Sequence, residues 1–102
     1  MSCWADITAP YHIGSNTVAA ATWQCSPGIQ QQIAPLISLT APDGTPYTSS
    51  TRCYSTDNCA VTVSAPWVSG TWTSRAEYAF VVASDGTSSY FLDGSASQYL
   101  PF

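Results

Sequence analysis

Four cysteines in a chain of 102 residues constrain this protein more than any other feature it carries. A chain of this length makes one domain, spanning residues 1–102. Such a domain buries only roughly 60–68% of the surface its unfolded chain exposes, so covalent cross-links matter to its stability. Cys3, Cys25, Cys53 and Cys59 are separated by 21, 27 and 5 intervening residues, and His12 is the sole histidine. Structural zinc sites need paired C-x2–4-C or H-x3–5-H spacings, which these are not. Cys53 and Cys59 flank Tyr54-Ser55-Thr56-Asp57-Asn58, a turn-forming segment, so a local bridge is natural and Cys3 is left for Cys25. On the loop-entropy model, loops of about 6 and 22 residues stabilise by about 2 and 3.4 kcal/mol. That is a large share of the roughly 5–15 kcal/mol expected of a domain. Disulfides imply an oxidising compartment, and the expected localisation is extracellular.

Charge narrows the partners. Charged residues make up 8% of the chain, against about 25% in ordinary soluble domains. Lys is absent, Arg52 and Arg75 are the only cations, and the net charge is −4. Nucleic-acid binding requires clustered cations that displace phosphate counterions, so no nucleic acid is expected. Anionic membrane surfaces ask for polybasic segments. No apolar run approaches the roughly 18 residues of a span, so no membrane insertion is expected. Met1-Ser2-Cys3-Trp4 has neither a basic nor an apolar leader character, and Met1 reads as an expression start joined to a mature domain.

Alternation with period two is the dominant pattern, and no segment carries a helical period. Cys3 to Ala9 places Cys3, Ala5, Ile7 and Ala9 inward, with Trp4, Asp6 and Thr8 outward. Thr17 to Cys25 places Ala19, Ala21, Trp23 and Cys25 together. Both cysteines of the long bridge therefore fall on the inward phase of their strands. Ile33 to Thr40 turns Ile33, Ile37 and Leu39 inward, and Pro35 suggests an edge position or a bulge. Thr45 to Cys53 is polar and suits a short edge strand. Cys59 to Ala65 alternates cleanly. Ser69 to Val82 places Trp72, Ala76, Tyr78, Phe80 and Val82 on one face, with Thr71, Thr73, Arg75 and Glu77 on the other. Ser88–Leu92 and Ser97–Leu100 are separated by Asp93-Gly94, a hairpin signal. The expectation is an all-β, immunoglobulin-like antiparallel sandwich of seven or eight short strands.

The order of segments resembles short secreted β-sandwich proteins of actinobacteria. The resemblance rests on an early strand, Trp23-Gln24-Cys25-Ser26, Ile37-Ser38-Leu39 before Asp43-Gly44-Thr45, Cys53…Cys59 read as a hairpin, Val61-Thr62-Val63 and Ser69-Gly70-Thr71-Trp72. It implies a two-disulfide sandwich. Some proteins of this type serve as adaptors in secreted assemblies such as toxin particles. The resemblance assigns no individual residue a role.

Catalytic groups are sparse. A hydrolytic triad needs a base, and only His12 could serve, in what reads as a solvated loop. Glu77 beside Arg75 reads as a surface ion pair rather than one of a carboxylate pair. Asp43, Asp85 and Asp93 each precede glycine, which marks turns first and a calcium site only if the turns meet. No catalytic residue, metal or cofactor is expected. Aromatic residues, 13% of the chain, are the remaining lead, because they are enriched at interface hot spots. Trp4, Tyr11, Tyr47, Tyr54 and Trp67 fall on outward phases or in turns and are the expected partner-binding residues. The C-terminal Gln98-Tyr99-Leu100-Pro101-Phe102 is apolar, and either folds back as a last strand or docks on a partner. The functional expectation is a secreted, non-enzymatic interaction module (an adaptor, accessory subunit or inhibitor) that binds another secreted or surface protein. The alternatives are a carbohydrate-binding module recognising polysaccharide, with Trp4, Trp67 or Tyr54 in a flat row, and a filament subunit linked by strand exchange.

Overall fold

Alternation of buried and exposed residues runs through almost every element of the computed structural model, which describes residues 1–101. The strands are β1 (Ser2–Ile7), β2 (Tyr11–Ile13), β3 (Asn16–Ser26), β4 (Gln30–Thr40), β5 (Pro46–Ser50), β6 (Cys53–Thr56), β7 (Asn58–Pro66), β8 (Gly70–Val82), β9 (Ser88–Phe91) and β10 (Ser95–Leu100). They form two antiparallel sheets packed as a sandwich. In the first, β3 lies between β7 and the end-to-end pair β1 and β2. In the second, β8 and β4 are central, flanked by β9 with β10 on one side and β5 with β6 on the other.

The strand count corrects the expected seven or eight to ten, but these ten occupy seven lanes, because three lanes are each broken in two. Local chemistry explains the breaks. Pro10, which has no N–H to give a ladder, is buried between β1 and β2. Thr51 and Arg52 separate β5 from β6. Residues 92–94 separate β9 from β10. The lane order is immunoglobulin-like, except that the fourth lane sits beside the third rather than beside the fifth.

Between the sheets lie Trp23, Trp72, Ile33, Ile37, Leu39 and Val81, all without solvent exposure. The Trp72 indole N–H donates to the Val68 carbonyl at 2.9 Å, so its ring is buried with its polar atom paired. The turn after β4 closes over the start of β8. Gly70 has φ +135, and a Cβ there would lie 2.6 Å from Pro42, so only glycine admits this approach.

Pro35 is not on an edge. β4 is a central strand, paired on both sides. The Pro35 carbonyl accepts from Thr51 N–H at 3.4 Å. Its absent N–H therefore points at the junction of β5 and β6, where no ladder partner is lost.

The largest departure from the expected pattern is in β8. Leu36 faces Tyr78 but Ile37 faces Ala76, so Glu77 is an extra residue bulging from the ladder. A bulge reverses the phase of everything beyond it. Ala79 and Val81 are fully buried, and Tyr78, Phe80 and Val82 turn to the outer face. The reading that puts Tyr78, Phe80 and Val82 on the same face as Trp72 is thereby corrected. Glu77 is held where it bulges: Ser38 Oγ donates to its carboxylate at 2.8 Å, and Arg75 Nε lies 3.7 Å away.

Asp93-Gly94 is not a hairpin. β9 and β10 run in the same direction along β8, and the Gly94 carbonyl accepts from Ala76 N–H at 3.0 Å, next to the bulge. The Asp93 carboxylate reaches across to the first sheet and accepts the backbone N–H of Ala5. β10 brings the C-terminal segment back onto β8 as far as Leu100, while Phe102 lies outside the described residues.

Both disulfides form as expected. Cys3 and Cys25 are directly opposed in the β1–β3 register, with Cα atoms 4.1 Å apart. Cys53 and Cys59 are joined across 5.7 Å, but not within a hairpin. β6 pairs with β4 and β7 with β3, so this bridge ties one sheet to the other.

Deleting Glu77 should make Leu36–Tyr78 and Ile37–Ala76 consecutive pairs of a regular ladder, with Ala76, Ala79 and Val81 still inward and Tyr78 and Phe80 still outward. Scanning calorimetry should therefore still show one cooperative transition for the deletion, and Glu77→Gln should lower Tm by only about 4–8 °C or less, as for the loss of about 1 kcal/mol in a domain of this size.

Candidate functional site

The bulge at Glu77 places three aromatic rings on the outer face of the second sheet. Phe80 and Tyr90 face one another in the β8–β9 register, with ring centroids 4.9 Å apart and planes tilted by 53°. Tyr78 meets Tyr90 edge-on, at 5.6 Å and 73°. Tyr90 is 67% exposed, and Tyr78 and Phe80 are half-buried. The rings wall one side of an open groove of about 510 Å³. Gln32, Ala34 and Pro35 of β4 contribute its floor, and Ser50, Thr51 and Arg52 the opposite wall.

The break between β5 and β6 is what gives that opposite wall its polar groups. Thr51 and Arg52 belong to neither strand, and only the Thr51 N–H still reaches β4, at the Pro35 carbonyl. Arg52 is also one of only two cations in the chain. The groove thus sets three aromatic rings, Ala34 and Pro35 against the polar groups of Gln32, Ser50, Thr51 and Arg52, which make up much of its exposed lining. Nothing in the groove combines a nucleophile, a base and an orienting acid.

The five aromatics expected to bind a partner do not gather. Trp4, 43% exposed, stands on the outer face of the first sheet over a small hollow of about 190 Å³ with Gln24, Asp57 and Asn58. Tyr11 is on that face too, but it is opposite Val18 while Trp4 is opposite Gln24. Six residues of β3 separate them, or roughly 20 Å. Trp67 is half-buried beyond β7 and stacks on His12, with centroids 4.4 Å apart and planes 24° apart. Tyr47 departs from the outward reading: it is half-buried and packs on the core, because it pairs with the inward Leu39. Tyr54 alone lies beside the groove. It is 62% exposed and paired with Gln32, which shares its face.

His12 is in strand β2, not in a loop, though it remains exposed. The three Asp-Gly turns do not meet. Asp43 follows β4 and Asp85 follows β8, and because these strands are antiparallel the two turns lie at opposite ends of the sandwich. The Asp43 and Asp85 carboxylates each serve their own turn, whereas Asp93 is committed to the Ala5 N–H. Asp43 accepts from Thr45 N–H at 2.9 Å, and Asp85 accepts from the Thr87 hydroxyl at 2.7 Å and its N–H at 3.0 Å. Among the described residues no three His, Cys, Asp or Glu side chains are gathered as metal ligands.

Sequence reasoning missed Tyr78, Phe80 and Tyr90. A usable signal was present in Tyr78-Ala79-Phe80-Val81-Val82, where both phases are apolar but only one is small enough to fit beside two buried tryptophans.

Comparison with known proteins adds little. No family model and no curated protein matches this chain. Among solved structures, a catalytically inactive OgpA from Akkermansia muciniphila, in complex with an O-glycopeptide substrate, aligns at 7% identity with a TM-score of 0.43. The alignment covers 93% of this chain and 28% of that one.

Hydrogen bonds from Thr45, chiefly its N–H, hold the Asp43 carboxyl below its ordinary value, and those from Thr87, chiefly its hydroxyl, do the same for Asp85. A lowered folded-state value means these turns contribute stability above the ordinary carboxylate value, lost as pH falls through the folded value. Tm should therefore be insensitive to the two turns near neutral pH and decline below pH 3.8, the ordinary value of both groups. A double Asp43→Asn, Asp85→Asn variant should show a shallower decline in an acid melting series.

Proposed function

We propose that this chain is a secreted, non-enzymatic protein-interaction module whose contact surface is the groove of Tyr78, Phe80 and Tyr90 with Arg52. The observation carrying this reading is the bulge at Glu77, which turns large aromatic rings out of the core toward an open cleft. Tyr and Arg are the residues most enriched at interface hot spots, and here they face each other across one groove. The rings are tilted or edge-on to each other rather than coplanar. Such a wall accepts the irregular side chains of a protein better than it stacks successive sugar rings.

The carbohydrate reading needed Trp4, Trp67 or Tyr54 in a flat row. Trp4 is on the first sheet, Tyr54 on the second, and Trp67 follows β7 against His12. With a single cation at the groove, the complex gains little from ion pairs, and its affinity should change little with salt.

The oxidised domain, used as bait in the source organism's culture fluid, should retain a partner protein equally well as wild type and as Trp4→Ala. Capture should fall by a factor on the order of 30 with Tyr90→Ser or Phe80→Ser, the loss expected of hot-spot residues. Equal capture by all four baits would show that the groove is not the contact surface. Retention on insoluble polysaccharide that is lost with Tyr90→Ser would move the same groove to the carbohydrate reading.

A further inference from the structure

The sandwich has four edge lanes, and three of them are interrupted: β1 with β2, β5 with β6, and β9 with β10. The fourth, β7, is a continuous strand of nine residues without a charge. Its pairing with β3 shows which backbone groups are free. Cys25 N–H donates to Asp57 O at 2.9 Å, and Cys25 and Asp57 lie on the same register as the β3–β7 ladder. Antiparallel ladders alternate, so Cys59, Val61, Val63 and Ala65 also direct their N–H and C=O groups at β3. Ala60, Thr62 and Ser64 direct theirs away, at the open edge. All three are exposed, and no strand or side chain among the described residues pairs with these groups.

The open stretch has defined limits. Asn58 N–H is already bonded to Thr56 Oγ1 at 3.2 Å, and Asn58 O accepts from the same hydroxyl at 3.0 Å. Pro66, at the other end, has no N–H. What remains runs from Ala60 to Ser64 and is centred on Thr62.

We propose that β7 pairs with β7 of a second copy of this chain, antiparallel about a two-fold axis at Thr62. The first sheet would then continue through both copies. Thr62 faces Thr62, a favourable cross-strand pair, and Ala60 faces Ser64. Every free N–H and C=O of the stretch finds a partner, and each copy supplies what the other lacks. Small outer-face side chains let the strands approach, and the edge itself carries no charge to repel its copy. The nearest acid in sequence, Asp57, falls opposite Trp67 of the second copy. The two Asp57 side chains stand at opposite ends of the ladder, ten residues apart, or roughly 33 Å. The other three edge lanes are each broken in two, and on β1 the Ala5 N–H is already bonded to Asp93. An isologous contact of this kind closes at two copies.

This surface is separate from the groove, so the two assignments stand or fall independently. Analytical ultracentrifugation of the oxidised chain, from on the order of 10 µM to 1 mM, should show a monomer–dimer equilibrium. Thr62→Pro removes an N–H that the β3 ladder does not use, and should leave a folded monomer throughout the range. Should that variant fail to fold, Thr62→Lys tests the same point, since two cations would meet at the axis. Mixing Thr62→Lys with Thr62→Glu should restore a dimer of one copy each. Wild type that is monomeric throughout, a dimer that survives Thr62→Lys unchanged, or association continuing past two copies would each overturn the proposal.

Discussion

The pairing of β4 with β8 is the interaction on which the rest of the molecule depends. It joins the two longest strands of the second sheet and supplies most of the wall against which β3 and β7 pack. It also carries the one irregularity with chemical consequences. An extra residue at Glu77 lets β8 bury Ser74 and Ala76 before the bulge and Ala79 and Val81 after it. Beyond Trp72 the strand can then send its small residues inward on both sides of the bulge and its larger rings outward past residue 77. A regular strand would have had to bury Tyr78 and Phe80 beside Trp23 and Trp72. Overpacking a core in that way typically costs about 1–3 kcal/mol, and more when the backbone cannot adjust. The bulge avoids that cost, and the exposed aromatic groove is its geometric consequence.

The two disulfides act at different levels of this arrangement. Cys3–Cys25 joins residues already opposed in a ladder, so it reinforces a pairing that backbone hydrogen bonds also hold. Cys53–Cys59 joins β6 to β7, which belong to different sheets and share no ladder. It closes one side of the sandwich covalently. The opposite side is closed by polar contacts, with Asp93 on the Ala5 N–H and Ser74 Oγ on the Thr8 carbonyl at 2.8 Å. A domain that is short of charged residues thus fixes the relation of its sheets by one covalent bond and a few buried hydrogen bonds.

Much of the fold was legible in the sequence, because alternation and cysteine phase are local properties. Cys3 and Cys25 fall on inward phases of strands that turned out to be paired, in agreement with the pairing left once the short Cys53–Cys59 spacing is closed. What was not legible depends on partners distant in the chain. The bulge lies where Leu36 and Ile37 meet Tyr78 and Ala76 on a neighbouring strand, and within β8 the only trace of it is that both phases beyond residue 77 are apolar. The Asp93-Gly94 segment carries the composition of a hairpin, but β8 holds both flanking strands along one edge and leaves no room for them to fold on each other. The aromatics of the site were misassigned for the same reason. Tyr78 and Phe80 were read by extending the phase of Trp72 past a point where it reverses. Tyr47 was read as outward because its neighbours are polar, although its register with Leu39 turns it toward the core.

The groove and the β7 edge lie on different sheets, and this bears on how they would work together. Pairing through β7 extends the first sheet and leaves the outer face of the second uncovered on both copies. A two-fold dimer would then present two identical grooves in a fixed relation. A partner that displays repeated copies of one epitope, as an assembled particle or a surface array does, could engage both at once. Linked engagement of this kind can raise avidity by roughly 10²–10⁴ over either single contact, with no new contact made. A modest groove with one cation and three rings would then suffice for firm attachment to a repeating surface, while a single soluble copy of the partner would be held only weakly.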